Sequence, residues 1–197
     1  MTMFRCFLPL LFIFAGLLNL HAQERPVVVA DVDFNNSVGN YRWNNVTVKL
    51  RAIENPDPKA YNEKYVDNVG IRVTLGYLID RRENTFYFLQ SEATIATLEV
   101  NQDKLLAFWI PYDIVERGDL ANEPDYWIIE LTVDGKAVPM DKPNTSSSIS
   151  DLAAAQNFLN RANSEASKTE GILVPYYLSP YAPVDRSPPA FIRKEPK

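Results

Sequence analysis

The chain has 197 residues, 25 acidic against 20 basic side chains, a net charge of −5, one cysteine and one histidine. That balance argues against a nucleic-acid binder, which needs a basic face. Cys6 and His21 both lie at the start of the chain. Everything after them lacks the side chains for a disulfide framework, a cysteine nucleophile, a Cys/His zinc site or a Ser-His-Asp triad.

Residues 1–22 read as a secretory signal peptide: Arg5 supplies the positive start, residues 7–18 are an apolar run broken by Pro9, and Leu20-His21-Ala22 puts a small residue at the cut. The run is shorter than the roughly 20 residues of a spanning helix. The expectation is therefore an exported protein of the periplasm, cell surface or extracellular space, with no transmembrane segment after cleavage.

In residues 27–34, Val28, Ala30, Val32 and Phe34 alternate with Val27, Val29, Asp31 and Asp33, which predicts a first strand. A second is expected over 43–54, where Val46, Val48, Leu50 and Ala52 share a face, ended by Asn55-Pro56-Asp57-Pro58. Residues 59–67 read as a surface loop. A third strand is expected over 69–80, with Ile71, Val73, Leu75, Tyr77 and Ile79 facing one way and Gly76 marking a bulge or close packing. After a loop at 81–84 come expected strands at 85–89, 93–100 and 104–110, then an acidic loop over 113–125.

The clearest pattern follows. Trp127, Ile129, Leu131 and Val133 recur every second residue, Ile128 interrupts the polar face, and Asp134-Gly135 suits a type I′ turn. This predicts a hairpin over 125–138 anchored by Trp127, with its second face partly covered. Residues 142–148 form a polar connector. Leu152, Ala155, Leu159, Ala162 and Ala166 then recur at helical spacing, predicting one amphipathic helix over about 149–167, with Ser148 and Asp151 as a capping box. Residues 172–184 return to extended structure. Pro175, Pro180 and Pro183 lack the donor a central strand needs, so this segment belongs at a sheet edge. Residues 185–197 read as a flexible Pro-rich tail.

Seven or eight short strands at regular spacing make the expected fold mainly β: one immunoglobulin-like β-sandwich domain over 23–184, with an inserted amphipathic α-helix near the C-terminus. A jelly roll or partly open barrel is the alternative.

Few residues point to chemistry. Asp31, Asp33 and Asn35 echo the start of a calcium loop, but Asn36 and Arg42 stand where Gly and Glu are needed, and a solvated strand face explains them better. Asp113, Glu116, Asp119, Glu123 and Asp125 are numerous enough to hold calcium, although surface loops are commonly acidic. A glycosidase needs two carboxylates at a set separation, a condition that 25 acidic residues cannot make selective. No motif brackets a nucleophile. The expectation is no catalysis, no resident metal and no cofactor. Aromatics remain: Tyr176, Tyr177 and Tyr181 near the last strand, and Trp109, Tyr112 and Tyr126 near loop edges. They suit a sugar-stacking or protein-anchoring face, or plain packing on the core.

Asp125-Tyr126-Trp127-Ile128-Ile129-Glu130-Leu131-Thr132-Val133-Asp134-Gly135 and Val174-Pro175-Tyr176-Tyr177-Leu178-Ser179-Pro180-Tyr181, with the leader and late helix, resemble a small family. These are secreted immunoglobulin-like proteins associated with type IV pilus genes in mucin-colonising Verrucomicrobia. The resemblance implies an accessory role at the cell surface, in pilus assembly or adhesion, with another envelope or pilus protein as partner. A carbohydrate-binding module is the alternative, and a carboxylate-dependent hydrolase comes third. From the residues themselves, the Phe191-Ile192 pair in a proline-rich end and the tyrosines beside it place the partner surface at Tyr177, Tyr181, Phe191 and Ile192.

Overall fold

The computed structural model describes residues 25–35, 43–179 and 188–192. Its strands are β1 (Val27–Asn35), β2 (Asn44–Ala52), β3 (Tyr65–Asp80), β4 (Thr85–Glu99), β5 (Asp103–Ile110), β6 (Tyr126–Val133), β7 (Lys136–Ala137) and β8 (Val174–Pro175); its α-helices are α1 (Tyr112–Gly118) and α2 (Leu152–Glu165). They build two four-stranded antiparallel sheets, ordered β1-β2-β5-β8 and β4-β3-β6-β7. In an immunoglobulin domain strands one, two and five share a sheet, and three, six and seven form the other. The same order holds here. β4 lies beside β3, and β8 takes the free place next to β5. The expected sandwich, with a helix ahead of the last strand, is what forms.

Alternation fills the space between the sheets. Val46, Val48, Leu50 and Ala52 of β2 meet Val69, Ile71, Val73, Leu75 and Tyr77 of β3, all at most 3% exposed. In β1 the expected alternation fails midway. Val27 and Val29 are buried, a bulge falls between Val29 and Asp31, and Val32 and Phe34 then take the inward positions. One extra residue flips a strand's phase, so the inward face of β1 is made of Val27, Val29, Val32 and Phe34, a set that strict alternation does not place together.

The second sheet is covered on both faces. Ile128 joins Phe86, Phe88, Ala155, Phe158, Leu159 and Ala162 in a second core under α2. Gly76 makes this possible, since a Cβ there would lie 2.7 Å from the Phe158 ring. The glycine marks close packing, with no positive φ required. At the hairpin, Asp134 and Gly135 take φ of 49° and 75°, as a type I′ turn demands. Trp127 is only partly buried, its ring 5.9 Å from Phe34, and the fully buried tryptophan among the described residues is Trp109.

Several boundaries differ from expectation. β3 begins at Tyr65, inside the expected surface loop over 59–67. Residues 85–99 form one strand through the expected break, because its polar side chains are satisfied: Gln90 donates to Thr74 (3.1 Å) and Asn163 (3.0 Å), and Glu92 pairs with Arg72. Half of the acidic loop is α1, opened by Pro111 and closed by Asp119 in the left-handed region. Finally, α2 starts three residues late. Asp151 is its cap, accepting the Ala154 N–H at 2.8 Å and a bond from the Ser150 hydroxyl. These bonds hold its carboxyl below the usual value.

A candidate partner-binding seam

The sandwich has one side where β4 is the edge of one sheet and β8 the edge of the other. β8 is only two residues long, Val174 opposite Trp109 and Pro175 opposite Phe108. Pro175 has no N–H to extend the ladder, and the chain turns into a 3-10 helix, Tyr176–Leu178. So short a strand leaves the gap between the sheets open at this side.

Residues 190–192 close it. Ala96 N–H donates to the Ala190 carbonyl at 2.7 Å, and Ile192 N–H donates to the Thr94 carbonyl at 2.8 Å. Between these bonds Phe191 stands opposite Ile95, a pairing in which side chains approach closely. Ile95 faces the core, and Phe191 packs against the same cluster. Its ring lies 4.7 Å from Tyr177 and 5.2 Å from Tyr176, distances typical of favourable aromatic pairs. The Tyr176 hydroxyl also reaches the Pro189 carbonyl at 3.4 Å.

Of the four residues expected at a partner surface, the seam therefore joins Tyr177 and Phe191, and Ile192 sits beside them at 40% exposure. Tyr181 lies outside the described residues. The expected flexible tail is corrected over 188–192. This stretch is docked, because Phe191 finds apolar surface that neither sheet covers. The remaining tail residues lie outside those described. The unburied Phe191-Ile192 pair was the signal in the sequence; Tyr176, which was not expected at the partner surface, joins the ring cluster as well.

Next to the seam, the β4 edge borders a cavity of about 610 Å3, with Arg72, Gln90 and Glu92 on one side and Val174, Pro175 and Leu178 on the other. Arg72 is held by Glu92 at 2.6 Å and Glu130 at 3.6 Å. Leu178 is 64% exposed.

The other candidates have structural work. Asp31 pairs with Lys49 at 3.5 Å on a half-exposed face. Asp125 accepts the Leu78 N–H (2.8 Å), and Glu116 accepts the Tyr112 hydroxyl (2.9 Å). Among the described residues no three His, Cys, Asp or Glu side chains gather as a metal ion would require. Tyr126 packs on Phe86 and Phe158. Burial pushes the Tyr77 hydroxyl far above its usual range; a hydrogen bond with the Asn44 side chain opposes the shift, and the Asp125 charge adds to it. It therefore stays protonated. Sequence reasoning passed over Tyr61, fully exposed in the β2–β3 loop. Asn55 and Asp57 brace that loop by accepting the N–H groups of Asp57 and Lys59, each at 2.8 Å. Among the described residues no helix is long and apolar enough to cross a membrane.

No protein-family model matches the chain, and no curated protein matches it. Three solved chains do. One is a crystal structure of a protein from Akkermansia muciniphila, a Verrucomicrobium, with a TM-score of 0.60 and 14% identity over 87% of this chain and 95% of that one. At this identity the likeness establishes a shared fold.

Proposed function

We propose that this protein is an exported, non-catalytic component of the cell envelope or surface that binds another protein, in type IV pilus assembly or adhesion. The observation that carries the reading is the seam: three aromatic rings beside an exposed Ile192 and Leu178 at a sheet edge. Tyrosine and other large rings dominate contact energy at interfaces. The leader-like residues 1–22 support export, and a sequence without histidine or cysteine beyond residue 21 supports a binding role over catalysis. The fold shared with the Akkermansia muciniphila protein supports, at fold level, the likeness to pilus-gene-associated proteins.

Crosslinking in the native host, with mapping of the linked peptides, tests this. The expected outcome is an envelope or pilus protein linked at residues 172–192. Links to no protein, or only to the opposite sheet face, would remove the reading. A glycan-binding reading has one observation in its favour: exposed Tyr61 borders a cavity of about 510 Å3 with Asn55, Asn62 and Asp67 in its lining. A glycan array separates the two, because the protein-binding reading gives no sugar preference and the other gives one that Tyr61→Ala abolishes.

A further inference from the structure

We infer that the outer edge of β1 is guarded against a second copy of this chain: the side chains of Asp31 and Asn122 occupy the main-chain donor and acceptor through which another β1 would pair with it. The inference does not depend on partner binding at the seam.

The sheet edges differ in what they offer. β7 and β8 have two residues each, and β8 contains Pro175. β4 carries residues 190–192. β1 has nine residues and ends its sheet, and among the described residues no strand pairs with its outer side. An edge of that length is a template for another chain unless something blocks it.

The register shows which groups point outward. The Ile53 N–H donates to the Pro26 carbonyl at 2.8 Å, so the main-chain groups of residue 26 face β2, as do those of residue 28. The bulge between Val29 and Asp31 shifts this phase by one. Beyond it the main-chain groups of Asp31, Asp33 and Asn35 face β2, across from Lys49, Thr47 and Asn45. Those of Val32 and Phe34 therefore point away from the sheet.

Both of these residues meet a side chain there. The Val32 N–H donates to the Asp31 carboxylate at 3.1 Å, and the Asn122 side-chain amide donates to the Phe34 carbonyl at 3.2 Å. Lys49 steadies the Asp31 carboxylate at 3.5 Å. Asn122 comes from far along the chain, and its loop is fixed on either side of Ala121: Leu120 is buried in the core, and the Ala121 carbonyl accepts the Asn44 side-chain amide at 2.8 Å. Charge acts with these caps. A two-fold pairing centred on Val32 sets Asp31 of each copy opposite Asp33 of the other, and like charges directly opposite are destabilising.

Sedimentation velocity over a concentration series, run on the full chain, tests this with Asp31→Ala, Asn122→Ala and both together. The two side chains are exposed, and thermal melts verify that the fold is kept. The double variant should self-associate roughly tenfold more tightly than either single variant, and in its dimer the Phe34 N–H should gain protection from hydrogen exchange. The unaltered chain should show no concentration-dependent protection at Phe34. Should the double variant not fold, each single substitution must by itself move the balance toward dimer. A double variant that associates no more than the unaltered chain, a dimer that leaves Phe34 exchange unchanged, or an unaltered chain already paired through β1 overturns the inference.

Discussion

Two added segments cover apolar surface that the sandwich leaves open, and they do so to different depths. α2 lays Ala155, Phe158, Leu159 and Ala162 on Phe86, Phe88 and Ile128, with Phe158 5.5 Å from Phe88 and 5.9 Å from Tyr126. Arg161 adds its guanidinium 4.8 Å over Phe86 and a bond to the Asn84 carbonyl. Residues 190–192 bring one partly buried ring and two main-chain bonds. Many mutual contacts make a cover cooperative with the core, and few make it open on its own. The helix is therefore expected to open only with the core, and residues 190–192 on their own.

Substitutions can break that contrast. Phe158→Ala should cost about 3–5 kcal/mol and lower the melting temperature by roughly 10 °C, because it hollows a nearly closed site. A loss under about 1 kcal/mol would put the helix in the tail's class. Gly76→Ala places a methyl group 2.7 Å from the Phe158 ring and should cost about 1–3 kcal/mol. In the Phe158→Ala background most of that cost should vanish, which a double-mutant cycle measures. Phe191→Ala should cost about 1–2 kcal/mol, since its ring is only partly buried. A penalty as large as that of Phe158→Ala would make the tail core.

The smallest effect concerns acid. The Asp151 carboxyl titrates below its ordinary value of 3.8 because it accepts the Ala154 N–H and the Ser150 hydroxyl. Its contribution is present above that ordinary value and is lost as pH falls through the lower folded value. Asp151→Asn should flatten this acid-side decline in thermal melts, leaving the seam unaffected.

The sandwich was legible because period-two patterns in β2, in β3 as far as Tyr77 and in β6, with the Asp134-Gly135 turn, agreed with the final packing; Ile79, expected inward, is 56% exposed beside a bulge between Leu78 and Asp80. Ile128 marked a partly covered second face and Gly76 a bulge or close packing, and α2 accounts for both. What stayed hidden depended on tertiary partners. The β1 bulge moves Val27 and Val29 inward ahead of Val32 and Phe34, which no local pattern encodes. Gln90 and Glu92 looked like a strand break because Thr74, Asn163 and Arg72, which satisfy them, are distant in sequence. At the seam, the sequence marked Tyr177, Phe191 and Ile192 as surface without a local place to bury. It could not show that the gap beside the two-residue β8 offers Phe191 one.

Amide hydrogen exchange on the full chain tests the contrast most directly. The Ala96 N–H, bonded to the Ala190 carbonyl, should exchange at least about a hundredfold faster than the β3 amides, by local opening of the tail. Phe191→Ala should quicken Ala96 further and leave β3 unchanged. If Ala96 instead exchanges only together with β3, through global unfolding, residues 188–192 are an integral part of the core and the seam is no exchangeable site.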